Sequence, residues 1–351
     1  MKNRVLLVAV ACLFLVFNGC SSDSGSEAEP SKGGGGVVKE EVEVDYILNE
    51  NIDDFVVNDD NTIFKVGDWR EGGKDLVGFM QVDLAGNMNS VKVLLPYDFY
   101  QSQLMLTNEG DVFFTAPFHS KDYDKIFRFE DGFSIMSPFY TLAPLSSPGP
   151  APDFDRGRVW ALTALNDKTC FVYDSNVRTI KRVFLDSKSE VFVAGSGKNA
   201  IKDGIGLDAS FGDVGKMIYR DGVFYIVDKW RVNGVFLNYN IRKMELVNNA
   251  WKVVTLVSSP TDGYRSVCFD SKGDLFILIG GKGIYKLNLQ NNTLTLFKGG
   301  KLKIKSGDNH SVIDLGIFAD IKIKNKDLYL RADSFFVKIS DFQSKFDALS
   351  N

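Results

Sequence analysis

The chain has 351 residues, 44% of them hydrophobic and 25% charged, with 28 Phe and only 9 Pro. That balance lies far from disordered compositions and supplies apolar area for a large core. A net charge of −4 leaves no excess of Lys and Arg to neutralise phosphates, which argues against nucleic acid as a partner, and two histidines, His119 and His310, exclude a His-rich metal centre.

Residues 1–19 read as a targeting segment. Lys2 and Arg4 precede an uncharged apolar run, Val5 to Phe17, that is too short to span a bilayer and suits a signal peptide. The run ends in Phe17-Asn18-Gly19-Cys20, and a small residue directly before a Cys resembles the lipobox of bacterial lipoproteins. The resemblance implies a mature chain that starts at a lipidated Cys20 and takes the membrane as its partner. Phe17 and Asn18 depart from the usual pattern. Residues 20–36 follow as a tether built almost wholly of Ser, Gly, Asp and Glu, which cannot repay its ordering entropy. Fully extended it reaches roughly 55 Å. Asp23, Glu27 and Glu29 resemble the surface-export signal of some Gram-negative lipoproteins, so the expected location is the outer membrane, on its periplasmic or cell-surface side.

From Val37 to Asn351 the chain reads as one all-β domain. Short runs such as Phe55-Val56-Val57, Val112-Phe113-Phe114 and Val223 to Val227 are rich in β-branched and aromatic residues and are bounded by Asn, Asp or Gly. The runs recur as a unit of strand, polar turn, aromatic strand, loop, third strand and fourth strand. Units start near Asp54, Leu104, Arg158, Lys216, Ser266 and Asp320, about 52 residues apart, which predicts a six-bladed propeller of four-stranded blades. The last unit runs out after Phe335 to Ile339, so the segment Glu41 to Leu48 is expected to complete it and close the ring. Five prolines between Pro138 and Pro152 predict a long loop there.

One unit carries a family resemblance. Ala194-Gly195-Ser196-Gly197, then Asp203-Gly204-Ile205-Gly206-Leu207-Asp208-Ala209-Ser210-Phe211, then Gly222 to Asp228, then Asn240-Ile241-Arg242-Lys243-Met244 resembles an NHL repeat. The match is strong over residues 194–246 and loose elsewhere. It implies a six-bladed propeller used mostly as a binding scaffold. The family's Asn-His-Arg before the third strand is replaced here by Asn238-Tyr239-Asn240.

No residue set predicts catalysis, a cofactor or a metal. Gly195-Ser196-Gly197-Lys198 lacks the earlier Gly and the following Ser or Thr of a phosphate loop, and there is no Gly-x-Ser-x-Gly elbow. Asp53-Asp54 and Asp59-Asp60 lack calcium-loop spacing and read as solvated turns. Cys170 and Cys268 read as small buried hydrophobes in different blades. The leading strands of the units read as largely apolar, with isolated polar residues.

The candidate binding residues come from a repeated pattern. Asp68-Trp69-Arg70 and Asp228-Lys229-Trp230-Arg231 each follow an aromatic second strand, and the equivalent loop of the second unit holds His119 and Tyr123. Trp69, Arg70, His119, Tyr123, Trp230 and Arg231 are therefore expected on one rim, where an aromatic face beside a guanidinium suits a glycan or a partner protein. The competing reading is that each Trp packs beneath a loop. The sequence thus predicts a lipid-anchored envelope propeller that binds a ligand without catalysis; the alternative is a propeller hydrolase or lyase of the lactonase type working in the central channel.

Overall fold

The computed structural model describes residues 41–347, apart from residues 50, 72–73, 83–87, 96–101, 116–121, 131–134, 145–157, 317 and 333. Cys20 and the tether lie outside the described residues. The described chain is a succession of antiparallel meanders. The first sheet comprises Asn51–Val57, Ile63–Glu71, Lys74–Val82 and Met88–Leu94. The second comprises Leu104–Leu106, Val112–Thr115, Lys125–Glu130 and Ile135–Thr141, and the third Val159–Asn166, Thr169–Asp174, Thr179–Phe184 and Ser189–Ala194. The fourth contains Asp213–Arg220, Val223–Val232, Val235–Val247 and Ala250–Ser259, with Gly204–Ile205 added at its outer edge. The fifth contains Tyr264–Phe269, Leu275–Ile279, Gly283–Asn288 and Thr293–Gly299. Asp320–Lys324, Asp327–Ala332 and Phe335–Ile339 form the sixth together with Tyr46–Asn49.

Burial follows strand position. The second strands Val112–Thr115, Thr169–Asp174 and Leu275–Ile279 are buried at every residue. A strand covered on both faces reads as a continuous apolar run, and these do. The fourth strands Ser189–Ala194 and Thr293–Gly299 are mostly exposed or half-buried, with Phe192 and Leu296 facing solvent.

Each sheet packs on the next through its own hydrophobic cluster. Phe64 and Phe79 of the first sheet meet Phe114, Phe127 and Phe129 of the second, with Phe79 and Phe129 stacked at 3.8 Å. Phe113 and Ile126 meet Val159 and Val172, Phe171 meets Phe224, and Tyr225 and Ile241 meet Val267 and Ile277. The sixth sheet packs on the first, where Phe55 meets Phe336 edge-on at 4.9 Å. Burying one such Phe contributes about 1.5–3 kcal/mol, so every interface holds several times that amount.

The N-terminal segment divides its pairing, which corrects the expectation for Glu41 to Leu48. Tyr46–Asn49 pairs antiparallel with Phe335–Ile339, Tyr46 opposite Lys338 and Asn49 opposite Phe335. Val42–Glu43 instead runs parallel to Lys301–Ser306, which forms a hairpin with Asn309–Asp314 that the repeat count did not anticipate. The bend between the two pairings is held by Asp45, whose carboxylate accepts from Ser340 Oγ at 2.5 Å and faces Lys338. The proline-rich loop is corrected at its start. Pro138 sits inside Ile135–Thr141, an edge strand with a register shift between Pro138 and Tyr140, the setting in which a residue without an N–H is tolerated. Cys170 and Cys268 are free and buried, and burial pushes the Cys170 thiol up to about 12.

Candidate functional site

The leading strands of the six sheets line one cavity of about 1160 Å3. Period-two alternation explains how they furnish it. In Asp320–Lys324 the side chains of Ile321 and Ile323 alternate with Asp320, Lys322 and Lys324, and in Asp213–Arg220 the buried Met217 alternates with Lys216. The polar members reach one another across sheets. Lys216 Nζ donates to Asp320 Oδ1 and, at 3.1 Å, to Ser266 Oγ, which in turn donates to the Ile321 carbonyl at 3.0 Å. Lys322 Nζ bonds Asp54 Oδ1 at 3.0 Å and also reaches the Phe55 carbonyl. The other oxygen of Asp54 accepts from the Leu104 amide at 2.8 Å, and Gln103 Nε2 donates to the Gly215 carbonyl at 3.0 Å.

This network overturns the reading of the leading strands as apolar with isolated polar residues. Asp54, Lys216, Ser266, Asp320 and Lys322 come from four leading strands, unremarkable in sequence, and the topology brings them together. The i, i+2 spacing of Asp320, Lys322 and Lys324 was the available signal. Burial pushes the Asp320 carboxyl up, but Lys216, Lys322 and Arg331 more than offset it and hold it well below the usual range. Burial pushes Lys322 down, against the pull of Asp54. Among the described residues no group of three or more His, Cys, Asp or Glu is placed to hold a metal ion.

The rim residues are placed as follows. Trp69 and Arg70 lie in Ile63–Glu71, their backbones opposite Leu76 and Asp75; their side chains and the whole of His119 lie outside the described residues. Tyr123 is half-buried, and its carbonyl accepts from the Arg158 amide at 2.8 Å. Trp230 is half-buried, its Nε1 donating to the Asn199 carbonyl at 3.2 Å in the connection between the third and fourth sheets. Arg231 lies 5.6 Å over the Phe236 ring. Lys229, next to Trp230, lines the cavity.

The residues that carry the repeat resemblance form a buried brace. The Arg242 side chain is wholly buried; its Nη1 donates to Asp228 Oδ2 at 2.8 Å and to the Ser210 carbonyl at 2.7 Å. Its Nη2 bonds the Lys202 carbonyl at 2.8 Å and Asp203 Oδ1 at 3.1 Å. Asp228 Oδ1 also accepts the amides of Gly212 and Asp213, each at 3.1 Å. A Cβ on Gly212 would stand 2.2 Å from the Lys229 carbonyl, so only glycine fits there. Burial, outweighing Arg242, pushes the Asp228 carboxyl up to about 6. The brace ties the linker 195–212 to the fourth sheet and leaves the chemistry to the cavity.

No protein-family model matches the chain, and no curated protein sequence matches it at a significant level. Solved structures do resemble it. An auxiliary nutrient binding protein from Bacteroides thetaiotaomicron superposes with a TM-score of 0.54 at 10% identity, covering 84% of this chain and 69% of that one. A protein of unknown function from the same organism gives 0.52 at 12% identity, over 83% and 69% of the two chains. Virginiamycin B lyase from Staphylococcus aureus gives 0.50 at 14% identity, over 84% and 98%. All three are β-propeller proteins. The fold is propeller-like. At such identities the likeness speaks for the fold alone.

Proposed function

We propose that the protein is a lipid-anchored, six-bladed propeller of the cell envelope that binds a ligand, a glycan or a partner protein, at its central cavity without catalysis. The observation that carries this reading is the cavity itself, large, lined by all six leading strands and furnished with charged and apolar side chains. Small-ligand sites commonly measure about 300–1,000 Å3 and combine apolar walls with a few placed polar groups. The six meander sheets, the packing of the sixth on the first and the pairing of Tyr46–Asn49 with the last strand support six blades and a ring closed by the N-terminal segment. The Arg242–Asp228–Asp203 brace, built from the residues of the NHL-like motif, supports that kinship. One structure of this fold is described as a nutrient-binding protein, a role of the kind proposed.

The anchor rests on the sequence. A lipid on Cys20 followed by a Ser/Gly tether would hold the propeller off the outer membrane, and no helix among the described residues is long and apolar enough to cross one. Two experiments test the reading. Cys20→Ala should move the protein from washed membranes to the soluble fraction; retention in membranes refutes the anchor. Mass-resolved screening of the purified protein on a glycan array should give capture with the glycan unchanged, whereas a cleaved product would establish the enzyme instead.

A further inference from the structure

Charge inside the cavity is opposite in sign to that of the chain. The whole sequence carries 45 acidic against 41 basic residues, yet among the described residues seven Lys and Arg line the cavity against five Asp. The distribution is uneven. Lys216 is matched by Asp320 and Lys322 by Asp54, but Arg331 meets no carboxylate as a bonding partner. Its Nη1 donates to the carbonyls of Ile52 and Asp53 at 2.6 and 2.5 Å, and its buried Nε has no acceptor. Arg331 and Lys216 both act on the Asp320 carboxylate, so three cations surround two acids at this end of the cavity. Burial disfavours the charged form of Lys322 even with Asp54 beside it. An anion entering here relieves that penalty and meets in Arg331 a guanidinium that no carboxylate bonds among the described residues, a group that suits planar oxoanions.

Phe318 supplies the second element. It lines the same cavity and is 66% exposed, the highest value among the large apolar side chains described. A ring exposed to that extent in the wall of a cavity that also holds these cations makes a platform for the apolar face of a sugar. The cavity is concave and of small-ligand scale, which favours a short oligosaccharide over the broad face of a folded partner.

We infer that the cavity takes an acidic oligosaccharide, its carboxylate or sulfate held by Arg331 with Lys216 and Lys322 and one sugar face stacked on Phe318. This rests on the binding function proposed above and names its ligand class. The test is titration calorimetry of the purified full chain at low and at high salt. The probes are trigalacturonic acid, its fully methyl-esterified neutral form, a sulfated chondroitin disaccharide and hexaglutamate. An acidic sugar should bind at least tenfold more tightly than the neutral ester and should weaken at high salt. The tighter of the carboxylated and sulfated probes identifies which acid group is native. Phe318→Ala, a change at an exposed position that leaves the fold intact, should weaken the acidic sugar several-fold. Arg331→Met should weaken it at least tenfold, with Arg331→Lys restoring part of the loss. Equal binding of the neutral ester overturns the acidic class while leaving a glycan-binding cavity. Tighter binding of hexaglutamate than of either acidic sugar overturns it in favour of an acidic protein segment. Failure of all four probes to bind overturns it together with the cavity-binding reading.

Discussion

Replacing Arg242 by Met would remove four hydrogen bonds from the centre of the fourth sheet while retaining much of the side-chain volume above the Phe211 ring. Asp228 would keep only the two backbone amides of Gly212 and Asp213, each at 3.1 Å, around a carboxylate with no solvent exposure. Breaking one side of a buried pair typically costs about 3–5 kcal/mol, because the remaining charge is left uncompensated. For a domain of this size each kcal/mol lowers the melting temperature by about 2–4 °C or slightly less, so a fall of roughly 6–15 °C is expected at pH 8. The loss should depend on pH in a definite direction. Burial raises the folded pKa of Asp228 from the ordinary carboxylate value of 3.8 to about 6, so acid favours folding through this group between those values and the burden of the charge is fully present above pH 6. Without Arg242 the pKa rises further, which makes the charged form costlier still. Below pH 5 both proteins carry a neutral Asp228 and the deficit should shrink. Urea unfolding followed by Trp fluorescence at pH 5 and pH 8 measures both deficits. Equal deficits, or a loss under 1 kcal/mol at pH 8, would refute the view that this brace is held by a buried charge.

Asp320→Asn should destabilise the protein by about 3 kcal/mol at pH 7, since it strands Lys216 in the cavity wall. Because the folded pKa of Asp320 lies below that of the unfolded chain, its contribution is present above about pH 4 and is lost as pH falls further, so unfolding curves of variant and parent should converge in acid. Cys170 and Cys268 should resist alkylation at pH 8 until denaturant is added, as read by peptide mass mapping; labelling of Cys170 in the folded protein would contradict its burial and raised pKa. Trp230→Phe deletes the bond to the Asn199 carbonyl and should cost about 0.5–1.5 kcal/mol. Unchanged stability with lost glycan capture would return Trp230 to the binding rim.

How far the sequence reached can be judged strand by strand. Local patterns carried the all-β class, the six unit starts, the aromatic second strands and the short last unit. Those features depend on alternation, aromatic content and turn residues within a few positions of one another, and such information is written along the chain. The structure bears out the strand character of Val223 to Val227 and the burial of both body cysteines for that reason. What lay beyond reach was pairing between residues far apart. Val42–Glu43 and Tyr46–Asn49 look like one strand in sequence, yet they join different sheets about 260 and 290 residues away. Pro138 marked a loop by its chemistry, and an edge position reconciled it with a strand. The cavity is the clearest case. Asp54 read as part of a solvated turn, and Lys216 and Ser266 as isolated polar residues on apolar strands; the arrangement of the leading strands around one space makes them neighbours of Asp320 and Lys322. A side chain's ionisation and partners are set by what surrounds it within a few ångströms, and along this chain those surroundings come from strands 50 to 268 residues apart. The sequence alone therefore determined which residues form strands and turns; the tertiary structure decided which charges meet, because only packing brings distant strands within Coulombic range.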